Sequence, residues 1–286
     1  MMNWYTYSIL ALVLLGSQRF LYKVSAEKNC STGLTTLTFM TTVTILSVIV
    51  FFTLGEPLGN IKMLVAIGSW NSIAFVIATI SHIESLKHIP ASVVYTLIRL
   101  NIVIVVIFSI IYFNDKISLF QIAGILLSLA VVMVLRQSAS EEEGSSRNLR
   151  RGFILAFISL FAGAMAVISS KFAALHTNSV AFIAYSYGLG MILSLGVKKR
   201  MGQEKGGGNP SEAFIIGIAM GLLNLGGYYA FLKALAAGPL AVIGSIMGMH
   251  FVIAIILSAF IFKEKITSKR ALGIMMTVVS VILLRL

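Results

Sequence analysis

The residue with the most chemistry to offer in this chain is an arginine in the middle of an apolar run. Arg99 lies about ten residues into "PASVVYTLIRLNIVIVVIFSIIYF", roughly 13–15 Å along a helix rising 1.5 Å per residue. That is too deep for easy escape to the surface by snorkelling. A cation in hydrocarbon costs about 3 kcal/mol or more, so Arg99 must face a cavity or a partner. In a cavity, a guanidinium holds a carboxylate or another anionic group through paired hydrogen bonds. The alternative is a structural ion pair with Glu84, and the two roles are compatible, because a bound anion could compete with Glu84 for Arg99.

Other polar side chains share the apolar stretches. Asn101 and His250 occupy matching places in two similar segments. His250 reads either as a satisfied core residue or as a cavity hydrogen-bonder able to change protonation, the unperturbed imidazole titrating at about 6.5. Glu84 is the only acidic side chain inside an apolar stretch; with His250 it is the candidate proton carrier. His82, two residues earlier, is a gate or interfacial residue. Gln18, Arg19 and Tyr22, with Asn71, Tyr95, Asn224 and Tyr228, could together hydrogen-bond a polar metabolite, or singly cap and bridge helices. Lys23 and Lys171 end two matching stretches as interfacial anchors or as ligands. Gly217-x-x-x-Gly221 and Gly244-x-x-x-Gly248 are packing motifs by default.

Catalysis finds little support. The four histidines, His82, His88, His176 and His250, are dispersed without metal-ligand spacing, and no serine stands in a nucleophile's context. No Gly-x4-Gly-Lys-Ser/Thr loop is present to use a nucleotide. The lone Cys30 excludes an intrachain disulfide and a cysteine metal cluster. No cofactor or metal is expected.

The elements that position these groups follow from composition. Hydrophobic residues make up 58% of the 286, charged residues 11%, and mean hydropathy is +0.96, against roughly 25% charge in soluble domains. Lipid is the implied solvent. Ten apolar stretches of about 20 residues fall at roughly 3–24, 33–54, 62–86, 90–113, 117–136, 151–174, 178–197, 213–236, 239–262 and 266–285, each long enough to cross about 30 Å of hydrocarbon. They lack barrel-strand alternation, so backbone satisfaction leaves helices. The first stretch reads as a retained helix rather than a signal peptide. The net charge of +12 reflects loops rather than nucleic-acid binding. Loops after odd-numbered spans hold about 15 basic residues against 5 on the other side, which by the positive-inside rule puts both termini outside.

The chain is also written twice. Residues 90–136 align without a gap on 239–285, with 14 of 47 positions identical, among them Pro90/Pro239, Ser109/Ser258, Phe113/Phe262, Lys116/Lys265, Gly124/Gly273 and Arg136/Arg285. Five spans per half is an odd number, so the second half enters the membrane from the opposite face. The fold class is therefore an all-α membrane protein of ten transmembrane helices in two inverted five-helix repeats, 1–136 and 151–286, joined by a solvated linker at 137–150. A site on the pseudo-two-fold axis can face either side. "FNDKIS" and "FKEKIT" place an acid and Ser/Thr at the start of the following helix, as N-caps.

These paired motifs, Phe113-Asn114-Asp115-Lys116-Ile117-Ser118 with Gly124, and Phe262-Lys263-Glu264-Lys265-Ile266-Thr267 with Gly273, resemble the drug/metabolite transporter superfamily, EamA-like branch, over the whole length. Asp115 stands where that family usually has glutamate. The resemblance implies a basket of helices with a cavity lined by spans 1, 3, 4, 6, 8 and 9, and spans 2, 5, 7 and 10 at the periphery. It also implies cytoplasmic termini, against the charge count, and orientation stays open. The expected function is secondary transport of a small polar metabolite, an amino acid or other carboxylate-bearing compound, by alternating access; the alternative is drug or cation efflux, or flipping of an anionic lipid. Expected partners are the substrate and the bilayer, without nucleic acid, and a homodimer is compatible. The expected location is a prokaryotic plasma membrane.

Overall fold

The computed structural model describes residues 3–86, 88, 94, 97–136, 149–201, 209–263 and 267–286. Tyr95, most of the linker and Glu264, Lys265 and Ile266 lie outside them. Among the described residues no strand occurs, and the helices are α1 (Trp4–Glu27), α2 (Thr32–Leu54), α3 (Ile61–Leu86), α4 (Asn101–Phe113), α5 (Leu119–Arg136), α6 (Leu149–His176), α7 (Ser179–Met201), α8 (Pro210–Ala237), α9 (Leu240–Gly248), α10 (His250–Ile261) and α11 (Ser268–Leu283). Five described stretches are long and apolar enough to cross a membrane by themselves: Gly33–Leu54, Ile61–His82, Leu149–His176, Pro210–Ala237 and Leu240–Ile261.

Local chemistry sets the helix ends. The Ser31 hydroxyl accepts the Leu34 amide at the start of α2, and left-handed Gly55 closes its end. Asn209 caps α8 ahead of Pro210, which loses no hydrogen bond in the first turn. The Ser118 hydroxyl accepts from the Gln121 amide at 3.1 Å while Gln121 Oε1 accepts from the Ser118 amide at 3.2 Å, a reciprocal capping box for α5.

Contacts at the helix ends fix the direction of each span. Lys28 meets Glu212 at 2.6 Å and Glu84 meets Arg151 at 3.9 Å on one face. On the other, Asn178 donates to Glu56 at 2.7 Å, the Leu240 amide to Asp115 at 2.8 Å, and the Tyr5 hydroxyl to the Val281 carbonyl at 2.9 Å. The end of α1 thus shares a face with the start of α6, and the repeats are inverted. The Glu212 carboxylate raises the Lys28 pKa, chiefly through their hydrogen bond. An exposed pair of this kind adds little to stability.

Packing obeys the same two-fold. α3 lies along α6 as α1 lies along α8; α2 packs on α8 as α7 packs on α3; α2 pairs with α7, α5 with α11, and α4 with α9. Helices that exchange across the axis have exchanged neighbours, and helices on it meet their own counterparts.

The symmetry reaches single residues. The fourth span turns at Leu100, whose amide bonds to the Leu97 carbonyl at 3.0 Å and whose carbonyl accepts Val103 at 3.0 Å; the ninth turns at Met249, bonded to Ile246 at 3.0 Å and accepting Val252 at 2.9 Å. Leu100 and Met249 are equivalent in the repeat register, so both spans are interrupted at the same place. Asn114 and Lys263, also equivalent, both end their helices in the left-handed conformation, with φ of 53° and 54°.

The glycine pairs act as contacts. A Cβ on Gly217 would stand 2.7 Å from Thr38 Cβ and 2.9 Å from the Thr35 carbonyl, and one on Gly221 2.6 Å from Thr42 Cβ. Because a backbone oxygen cannot rotate away, Gly217→Val is expected to push α8 off α2 at a cost of about 1–3 kcal/mol. Thermal unfolding of the purified variant checks this; an unchanged transition would mean that the helices separate without penalty.

Candidate functional site

Several of the candidate side chains gather where the fourth and ninth spans turn. Arg99 is the last residue before the Leu100 turn, and Asn101 begins α4 just beyond it. His250 begins α10 after the Met249 turn, and its Nδ1 lies 2.5 Å from the Met247 carbonyl, a hydrogen bond in the tautomer with a proton on that nitrogen. The Arg99 guanidinium stacks 5.2 Å from the Phe251 ring centroid. Glycines let the flanking helices approach both turns. A Cβ on Gly16 of α1 would be 2.7 Å from the His250 carbonyl, and one on Gly163 of α6 would be 3.2 Å from Asn101 Nδ2.

Arg99 and Arg19 both act electrostatically on His82 and on His250. Arg19 lies eight residues, about 12 Å, inside the end of α1, yet its side chain is exposed. Its guanidinium sits 5.6 Å from the Tyr22 ring. Beside it, buried Gln18 accepts a hydrogen bond from Asn224 Nδ2 at 3.1 Å. Asn224 is 5% exposed, and its Oδ1 is buried with no hydrogen-bond partner among the described residues.

A second group lines an adjoining cavity of about 150 Å³ between α2 and α3 of the first repeat and α6, α7 and α8 of the second. Asn71 Nδ2 donates to the Ala166 carbonyl and Ser169 Oγ, both at 2.8 Å, and lies 3.3 Å from Ser170 Oγ. Ser170 and Tyr228 share a hydrogen bond of 2.9 Å. Aromatic rings of Phe75, Tyr187, Tyr228 and Phe231 form much of the wall. Tyr187 joins the two groups, since it lines the cavity and interacts electrostatically with Arg19 and by hydrogen bonding with Asn224.

The structure therefore brings Arg99, His82 and His250 together with Arg19, pairs Gln18 with Asn224, and sets Asn71 with Tyr228. Asn101 turns toward α6. Glu84 stands toward the end of α3, 3.8 Å from His88 and beside Arg151 of the other repeat. Tyr95 lies outside the described residues. Tyr187 is the addition: Arg19, already named with Gln18 and Tyr22, carries the same signal as Arg99, a charge well inside an apolar span, whereas nothing in the local sequence distinguishes Tyr187.

The acid of the Phe-Asn-Asp-Lys motif does not cap the helix that follows it. Asp115 accepts the amide of Leu240 at the start of α9 and the Ser109 hydroxyl, and Ser109 accepts the Ala241 amide at 2.9 Å. Lys171, 6% exposed, donates to the carbonyls of Leu235 and Gly238 at 2.5 and 2.9 Å and lies 5.5 Å from the Phe113 ring. Its repeat equivalent, Lys23, lies 5.4 Å from the ring of Phe262, the equivalent of Phe113. Each lysine–aromatic pair joins one repeat to the other.

A family model described as the EamA-like transporter family matches residues 2–137 and again 150–286. Comparison with proteins of curated function returns no match. One crystal structure superimposes with a TM-score of 0.81 at 14% identity, over 98% of this chain and 95% of the other, a likeness of fold.

Proposed function

Because the chain belongs to the EamA-like transporter family and is an integral multi-pass membrane protein, we propose that it is a secondary carrier of a small polar metabolite, an amino acid or other carboxylate-bearing compound. The observation that supports this most is Arg99, a guanidinium beside the interruption of two symmetry-related spans. Both turns lie at the repeat interface, where carriers built from inverted repeats place their ligand. A site on the pseudo-two-fold can be exposed to either face as the repeats, 1–136 and 151–286, rock about the 137–150 linker. His250 and His82 are the neighbouring polar contacts, Asn71, Asn224, Tyr228 and Gln18 the uncharged ones, and Glu84 the carboxylate available for coupling.

A thermal-shift screen of detergent-solubilised protein tests the reading against amino acids, organic acids, sugars, nucleosides and quaternary amines. A ligand at a hundred times its dissociation constant stabilises the folded state by about 2.7 kcal/mol. A shift of several degrees with a carboxylate is the expected outcome. Stabilisation by amphiphilic cations or lipids alone would transfer the protein to the efflux or flippase reading.

A further inference from the structure

We propose that Arg19 is a second anion-binding residue and that the transported compound carries two negative charges, as a dicarboxylate or a phosphate monoester does. The inference rests on the carrier reading and narrows its substrate class. Gly16 and Arg19 are three residues apart on α1 and share a face. The Gly16 position is pressed against His250, its added Cβ 2.5 Å from Ile253 Cβ and 2.7 Å from the His250 carbonyl. Arg19, one turn further along that face, lies within electrostatic reach of His250 at the α9–α10 turn, where Arg99 stacks on Phe251. Two guanidinium groups approach one turn from two helices, and both act on His82 and His250.

Like charges in one membrane-embedded site repel, and a monoanion can answer only one of them at full strength. A dianion engages both with charge-assisted hydrogen bonds. Asn224 Oδ1 has no donor among the described residues, while its Nδ2 is fixed by the carbonyl of Gln18, the neighbour of Arg19, so a ligand hydroxyl or N–H completes it.

The test compares butyrate, succinate and glycerol 3-phosphate as stabilisers of the purified wild type and of Arg19→Gln, Arg19→Lys and Arg99→Ala, with gel filtration to show that each variant is monodisperse. In the wild type a dianion is expected to reach half its effect at a concentration about tenfold or more below butyrate, the scale of one charge-assisted contact. Arg19→Gln removes that preference by weakening the dianions far more than butyrate, Arg19→Lys retains part of it, and Arg99→Ala loses both. Response to succinate or to glycerol 3-phosphate decides between the two kinds of dianion. Equal response to butyrate and the dianions in the wild type, or a preference that survives Arg19→Gln, overturns the proposal while the monoanion carrier stands. No response to any anion overturns the carboxylate-carrier reading and this proposal with it.

Discussion

Arg99→Ala is expected to reduce uptake of an anionic substrate into proteoliposomes by about a hundredfold or more, while the protein still purifies as a folded, monodisperse species. Each hydrogen bond from a charged donor is worth about 1.5–3 kcal/mol, and a bidentate guanidinium supplies two. Their loss amounts to roughly 3–6 kcal/mol, and every 1.4 kcal/mol is about tenfold in affinity. The contact of Arg99 with Phe251, a cation over an aromatic ring, contributes about 0.5–2 kcal/mol to the fold. Arg99→Lys separates charge from shape. It keeps the cation but not the planar fork, and is expected to fall between wild type and Arg99→Ala, with weaker binding than the arginine gives. Uptake by Arg99→Ala at the wild-type rate would remove the residue from the site. An effect confined to thermal stability would make Arg99 a structural ion-pair partner.

The architecture was legible because two signals in the sequence are global. Apolar stretches of membrane length fix the number of helices, and an odd number per duplicated half fixes the inversion, which the contacts of Lys28 with Glu212 and Asp115 with Leu240 display. Arg99, His82 and His250 could be singled out because lipid penalises polar atoms whatever the tertiary structure. The rest depended on distance in the chain. Asp115 was expected to cap the helix that follows it, as Ser118 does, but its acceptor oxygen serves Leu240, 125 residues away. The turns at Leu100 and Met249 carry no proline, and the flanking pairs, Arg99 with Asn101 and Gly248 with His250, became a signal only when the repeats were set in register. Tyr187 looks like any aromatic on a helix until α7 and α8 meet.

The largest structural effect is expected from Lys171→Met. Methionine keeps most of the length and volume of the lysine, so the substitution removes an ammonium without opening a large cavity. That ammonium ends α8 by binding the Leu235 and Gly238 carbonyls and attracts Asp115, which holds the first amide of α9. Removing it leaves two acceptors and a half-buried carboxylate without their cation. Breaking a buried charged contact of this kind typically costs about 3–5 kcal/mol. With roughly 2–4 °C per kcal/mol for chains near this size, the unfolding midpoint should fall by about 6 °C or more. Lys23→Met is the internal comparison, because Lys23 makes the matching approach to Phe262 at 5.4 Å but is only half-buried, and its loss should be the smaller. Equal midpoints for Lys171→Met and wild type would show that the carbonyls find water instead, and that the turn is held by Asp115 and Ser109 alone. A fall in Lys171→Met that is absent when Asp115 is already asparagine would place the energy in the lysine–aspartate attraction rather than in the carbonyl contacts, since only the former requires both charges.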